Sequence, residues 1–219
     1  MFDGFRSDPC EALLLKLLHQ SELASSPWRN GGGVTREVAV ADHDGQMVWR
    51  LSLATVSSDG AFSRFDGYRR ILTVVRGAGM RLHMPDRVLR AEPGVPVGFS
   101  GAEPVDGSLV GEEVQNLNLI YDPARVVAAV RKHEATEQGA CLPELSIDKG
   151  VVGAVVEPAV EPSVEPIIGL YCQSGSAKVN HHWLLDAGTF ALPQADDAPL
   201  TSVELTPASI VFSIRVAYL

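Results

Sequence analysis

Between residues 34 and 121 the chain alternates apolar and polar positions in short runs, and Gly, Pro or Asp interrupts them at intervals of roughly ten residues. Residues 48–56 show the pattern best. Trp49, Leu51, Leu53 and Thr55 fall on one face of a strand, and Val48, Arg50, Ser52, Ala54 and Val56 on the other. Residues 34–40 form a second β-rich run, with Thr35 and Glu37 on one face and Val34, Arg36 and Val38 on the other. Further strands are expected at 70–76, 80–84, 88–90, 97–99 and 114–121, with turns at 43–46, 58–60, 77–79, 85–86 and 92–94. Short strands at this spacing predict a sandwich or barrel. The alternation of strands with long helices that a parallel α/β sheet requires is absent. The rhythm resumes with strands expected at 167–172, 177–180, 183–185, 189–192, 201–205 and 210–218, without the polar motifs of the first half.

Other stretches are less decided. Gly31-Gly32-Gly33 alone suits a flexible loop, but with Trp28, Asn30 and a β-rich run around it the segment reads as a tight turn delivering a strand. Asp8-Pro9-Cys10-Glu11 has the form of a helix start. Residues 13–18, Leu-Leu-Leu-Lys-Leu-Leu, suit a helix or a buried strand equally. Residues 21–27 read as a turn or short helical connection, and 126–133 as helix or strand. Residues 156–166 repeat Val-Glu-Pro, and a proline at every fourth position bars a helix interior or a central strand, so an extended connector is expected. The pattern divides the chain into an N-terminal half over 1–121, a connector over 122–166 and C-terminal strands over 167–219 that complete a second half.

The chain has 219 residues, enough for one large β domain or two small ones. A net charge of −9 and the absence of a Lys/Arg cluster argue against nucleic acid and anionic membrane as partners. Cys10, Cys141 and Cys172 are scattered and odd in number, which points to a reducing compartment. No basic segment leads into an apolar one at the N-terminus, and no apolar span approaches twenty residues, so a cytoplasmic protein is expected.

Candidate chemistry is sparse. None of the six histidines forms a His-X-His pair with a nearby Glu, and His181 and His182 on a strand would point to opposite faces. No metal or cofactor is expected, and His83 reads as structural. The glycine clusters at 31–33 and 77–79 lack the partners of a phosphate-cradling loop. Ser52 and Ser63 are nucleophile candidates only by elimination, and no catalytic residue is assigned. One constellation remains. Thr35, Glu37, Arg50, Ser52, Arg70, Asn116 and Asn118 each occupy the less apolar face of a β segment. Those faces either meet water or line a barrel lumen. In a common lumen, two arginines and two amides suit a small carboxylate, which Arg binds bidentately.

Several motifs in order resemble the HutD/Ves family. They are Trp28-Arg29-Asn30-Gly31-Gly32-Gly33-Val34-Thr35-Arg36-Glu37, Trp49-Arg50-Leu51-Ser52-Leu53-Ala54, the run from Gly60 through Phe62-Ser63-Arg64-Phe65 to Arg70, Phe99-Ser100-Gly101, and Asn116-Leu117-Asn118-Leu119. The resemblance covers about residues 12–121 and is weak beyond 122. It implies an all-β, cupin-type (RmlC-like) β-barrel or sandwich, arranged as a bicupin of two consecutive β units, with residues 12–18 a strand. It also implies a non-catalytic regulator of histidine utilisation that senses a small carboxylate, urocanate or N-formylglutamate. Arg50 and Arg70 would hold the carboxylate, and Asn30, Thr35, Glu37, Ser52, Ser63 and Asn118 would shape the remaining hydrogen bonds. The family pattern has Asp at the position of Asn116, so this chain lacks a charge there. By analogy a homodimer is expected. Two rival expectations stand beside this one. The first is a metal-independent cupin enzyme acting on a small carboxylate or imidazole, with Glu37 as general base. The second is a stress-associated interaction protein with no small-molecule ligand.

Overall fold

The computed structural model describes residues 15–137, 140–143, 167–194, 200 and 202–219, and every regular element among them is a strand. The first part of the chain contributes β1 (Leu15–His19), β2 (Ser25–Pro27), β3 (Gly33–His43), β4 (Gln46–Val56), β5 (Gly60–Ala61) and β6 (Arg69–Arg76). It continues with β7 (Met80–His83), β8 (Val88–Ala91), β9 (Val97–Ser100), β10 (Asp106–Leu109) and β11 (Val114–Tyr121). The second part contributes β12 (Val126–Glu134), β13 (Ala140–Pro143), β14 (Ile167–Ser174) and β15 (Ser176–Val179). It ends with β16 (Trp183–Asp186), β17 (Thr189–Pro193), β18 (Ser202–Leu205) and β19 (Ile210–Tyr218). No helix among the described residues is long and apolar enough to cross a membrane.

The strands form four sheets. A six-stranded sheet has the order β2-β3-β4-β11-β6-β9 and a five-stranded sheet the order β1-β17-β14-β19-β12. Two four-stranded sheets, β5-β10-β7-β8 and β13-β18-β15-β16, cover one face of each. The period-2 pattern explains the layering. On β4 and β11, Leu51, Leu53, Leu117 and Leu119 point to one side, where they pack with Tyr171, Phe190, Phe212 and Ile214 of the five-stranded sheet. Tyr171 and Phe190 stack there with ring centroids 4.5 Å apart. On the opposite side Leu72, Val74 and Val114 meet Met80, Leu82 and Phe99 in a second core. A third core joins Leu170, Cys172 and Val211 to Val179, Leu185 and Val203. Both large sheets are therefore covered on both faces, and each fully buried Leu or Phe contributes roughly 1.5–3 kcal/mol.

Strand β1 settles the ambiguity of the Leu-rich run for residues 15–18. It pairs with β17 in the five-stranded sheet, while the chain from β2 onward builds the six-stranded one. Leu15 and Leu17 pack into the third core and Leu18 against the central one, while Lys16 is exposed, so leucines on both faces of this edge strand find apolar partners.

Several expectations differ from the structure. Ser25–Pro27, read as a turn or helical connection, is a strand paired with the start of β3. The stretch 126–133, left open, is β12, and it pairs along its whole length with β19. With β13 it lies inside the segment 122–166 expected as a connector. Strand β10 has no apolar alternation to announce it, since Asp106-Gly107-Ser108-Leu109 is ordered by pairing with β5 and β7. His181 and His182 sit in the turn between β15 and β16 rather than on a strand, with Asn180 and His181 at positive φ. The helix start at 8–11 and the Val-Glu-Pro repeat at 156–166 lie outside the described residues.

Candidate functional site

The site is built on the inner face of the six-stranded sheet. Register places Ser52 opposite Asn118, Ala54 opposite Asn116, and Ile120 between Arg50 and Arg70. Cross-strand neighbours share a face. Arg50, Arg70, Asn116 and Asn118 thus come from three adjacent strands to one wall.

Two loops close the space above that wall. The first is the turn between β2 and β3. Gly31 adopts φ +71°, and a Cβ on Gly33 would lie 2.4 Å from the Thr55 carbonyl oxygen and 3.2 Å from the Trp28 ring. The Gly31 amide donates to the Trp28 carbonyl at 3.0 Å, the Trp28 amide to the Gly33 carbonyl at 2.9 Å, and the Gly32 amide to Asn30 Oδ1 at 3.0 Å. The Trp28 indole N–H then reaches Thr35 Oγ1 at 2.8 Å. The triple glycine is a built turn, not a slack loop. The second loop runs from residue 61 to 68. The Phe62 amide donates to the Val105 carbonyl and the Phe65 amide to the Gly101 carbonyl, both at 2.8 Å.

Wall and loops enclose a cavity of about 420 Å³. Its polar lining is Arg29, Asn30, Thr35, Arg50, Ser63, Arg70, Asn116 and Asn118, and Trp28, Phe62 and Phe65 supply aromatic surface. Among the described residues no acidic side chain lines it. Arg70 is only 6 % exposed. Burial, and then the neighbouring charge of Arg50, pull its guanidinium down to about 10. Arg70 donates to the Ser63 carbonyl at 3.2 Å and to Asn118 Oδ1 at 3.4 Å. Three rings also lie against it, with Phe99, Phe62 and Phe65 centroids at 5.0, 5.2 and 5.5 Å. The Arg50 guanidinium lies 5.2 Å from the Phe65 centroid. The Nε atoms of both arginines are buried without a hydrogen-bond partner. Among the described residues neither arginine is ion-paired. A buried and a half-buried guanidinium, each with an unpartnered Nε and no ion pair, suit an anion.

Six of the eight expected site residues line this cavity: Asn30, Thr35, Arg50, Ser63, Arg70 and Asn118. Ser52 lies on the same face but is fully buried, and its hydroxyl donates to the Asn118 carbonyl at 3.4 Å, so it supports the wall from beneath. Glu37 is opposite Ser52 in the register, yet it is exposed and outside the lining, away from a general-base position in this cavity. Sequence reasoning missed the roles of Trp28, Arg29, Phe62 and Phe65. The available signal was a Phe-Ser-Arg-Phe loop four residues before a strand arginine. It also missed polar groups in the second half. Register places Arg131 beside Ser213 and Ala129 beside Arg215, and His133 Nε2 lies 2.9 Å from Ser213 Oγ. Burial, then Arg215 and Arg131, push the His133 imidazole down to about 4. Among the described residues no three His, Cys, Asp or Glu side chains group as a metal site.

Comparison with known proteins places the chain among relatives. The HutD family model matches residues 20–151, more than half of its length. The chain belongs to the HutD family. This HutD-family protein is 39% identical over 129 residues to an uncharacterised 21.2 kDa protein of the hutC 3′ region of Pseudomonas putida, an alignment spanning 57% of this chain and 67% of that one. Its fold is similar to that of HutD from Pseudomonas fluorescens SBW25, with a TM-score of 0.71 at 23% identity over 94% of this chain and all of the other. A bacterial pirin, YhhW of Escherichia coli, solved in complex with nickel(II), superposes with a TM-score of 0.59 at 8% identity, covering 92% of this chain and 98% of the pirin. Among its described residues the HutD-family fold is all-β and similar to the folds of those two proteins.

Proposed function

We propose that this protein is a non-catalytic, cytoplasmic bicupin that binds a small carboxylate metabolite and tunes histidine utilisation in response to it. Family membership and a relative in the hutC 3′ region support the link to histidine utilisation. The observation that carries the ligand class is the pairing of Arg50 and Arg70 in a cavity that no acidic side chain among the described residues lines. A cavity of about 420 Å³ has room for a molecule the size of urocanate or N-formylglutamate. The carboxylate would sit across the two guanidiniums, and the amides of Asn116 and Asn118 would meet an amide or imidazole group. With Glu37 outside the cavity, binding without turnover is the better reading.

The test is a thermal-shift panel in metal-free buffer with urocanate, N-formylglutamate, histidine, glutamate and formate. A ligand at a hundredfold excess over its dissociation constant stabilises the fold by roughly 2.7 kcal/mol, which moves the melt by a few degrees in a chain of this size. A selective shift with urocanate or N-formylglutamate is expected, and Arg50→Ala abolishes it while its own melting temperature stays near wild type. An unshifted melt throughout the panel, or full affinity in folded Arg50→Ala, overturns the assignment.

A further inference from the structure

We infer that Phe65 is the positioning residue of the cavity, its ring holding the guanidiniums of both Arg50 and Arg70 in place without neutralising them. The inference rests on the reading of the cavity as an anion site. Phe65 contacts both charges, with its ring centroid 5.2 Å from the Arg50 guanidinium carbon and 5.5 Å from that of Arg70. An aromatic face attracts a cation through its quadrupole but accepts no strong hydrogen bond. A carboxylate at the same point would take the arginine N–H groups in a bidentate pair and cancel the charge. The ring therefore offsets the repulsion between two neighbouring arginines and leaves their donors for a ligand.

Packing does not explain the residue. Phe62 and Phe99 belong to the apolar core beneath the cavity, whereas Phe65 belongs to none of the three cores. Its position is nevertheless set on both sides. The Phe65 amide donates to the Gly101 carbonyl at 2.8 Å, the Tyr68 amide to the Phe65 carbonyl at 3.1 Å, and the Gly101 amide to the Tyr68 carbonyl at 2.8 Å. A Cβ on Gly101 would lie 2.5 Å from the Phe65 carbonyl oxygen, so only glycine lets the two segments approach this closely. Gly101 thereby fixes the Phe65 backbone, and the Phe65 ring fixes the arginines.

The experiment uses the full chain with Phe65→Leu, Phe65→Tyr, and pentafluorophenylalanine incorporated at position 65, which keeps the ring shape and inverts its quadrupole. Two readouts are taken. The first is the Arg50 and Arg70 Nε–H resonances without added ligand, assigned by Arg→Lys substitution at each position. The second is calorimetric affinity for urocanate and N-formylglutamate. Phe65→Tyr is expected to keep the wild-type resonances and bind within about twofold. Phe65→Leu and the fluorinated ring are expected to shift both resonances and weaken binding by about tenfold. If Phe65→Leu fails to fold, the fluorinated protein decides alone. Unmoved resonances, or a fluorinated protein that binds as wild type does, overturn the positioning role and leave the anion site standing. Wild type that binds neither probe overturns the anion site itself and this role with it.

Discussion

Arg70 shows how one side chain can be legible in kind and not in circumstance. Its place on the polar face of a strand follows from alternation, but its burial at 6 % exposure and its enclosure by Phe62, Phe65 and Phe99 do not. Those rings come from a loop and from a strand 29 positions away, and nothing local to residue 70 specifies them. His133 is a second case. The sequence marks it only as a histidine on a run of uncertain type, while the fold sets it against Ser213 and near two arginines. Its folded pKa of about 4 lies below the 6.5 of an unfolded histidine. The unfolded chain therefore takes up a proton that the native state refuses. The native advantage is complete above pH 6.5 and is lost as pH falls from about 6.5 to about 4, to an extent on the order of 3 kcal/mol. Urea unfolding at pH 7 and pH 4.5 should show a smaller loss of stability for His133→Gln than for wild type. Equal losses would mean that the imidazole titrates normally in the fold.

At the scale of elements, the turn from Trp28 to Gly33 was recognisable from composition as a glycine turn before a strand. The separate requirements of its glycines were not. Gly31 is needed for its positive φ and has open space around it, whereas Gly33 is needed because the Thr55 carbonyl of the neighbouring strand passes within 2.4 Å of where a Cβ would stand. The two positions should respond differently. Gly31→Ala carries only a conformational cost of about 1 kcal/mol. Gly33→Ala forces apart β3 and β4 and disturbs the Trp28 ring, and should cost about 2–3 kcal/mol. Urea midpoints for the two variants check this, and equal midpoints would remove the case for a close approach at Gly33. Strand β10 was missed for a related reason. A short polar strand has no periodic signal, and its β structure comes from the hydrogen bonds that β5 and β7 offer it.

At the scale of the molecule, the two pairs of sheets are not independent. They share the central core of Leu51, Leu53, Leu117, Phe190, Phe212 and Ile214. Strand β1 also adds the first described stretch of chain to the edge of the second pair. Neither half can expose its side of that core at low cost, so a single cooperative transition is expected. Tryptophans report from both sides, with Trp28 by the cavity and Trp183 on β16. In 5-fluorotryptophan-labelled protein the native resonances of both should vanish at the same urea concentration. Phe212→Ala, which empties part of the shared core, should lower both midpoints together at a cost of about 3–5 kcal/mol. Separate midpoints would show that the halves unfold independently.

The sequence by itself determined the all-β class, most strand positions and the polar face of each strand, because these depend on a two-residue period and on turn residues that act locally. It also determined the family, through motifs spread over the first half of the chain. Tertiary structure decided that polar residues of four strands meet at one cavity, that Glu37 stays outside it and Ser52 beneath it, and that aromatic rings stand beside the arginines. It decided too that Leu15–His19 is a strand of the second pair of sheets. Each of these outcomes rests on pairing partners and cavity walls supplied from distant parts of the chain, and burial and electrostatic environment exist only once those parts have come together.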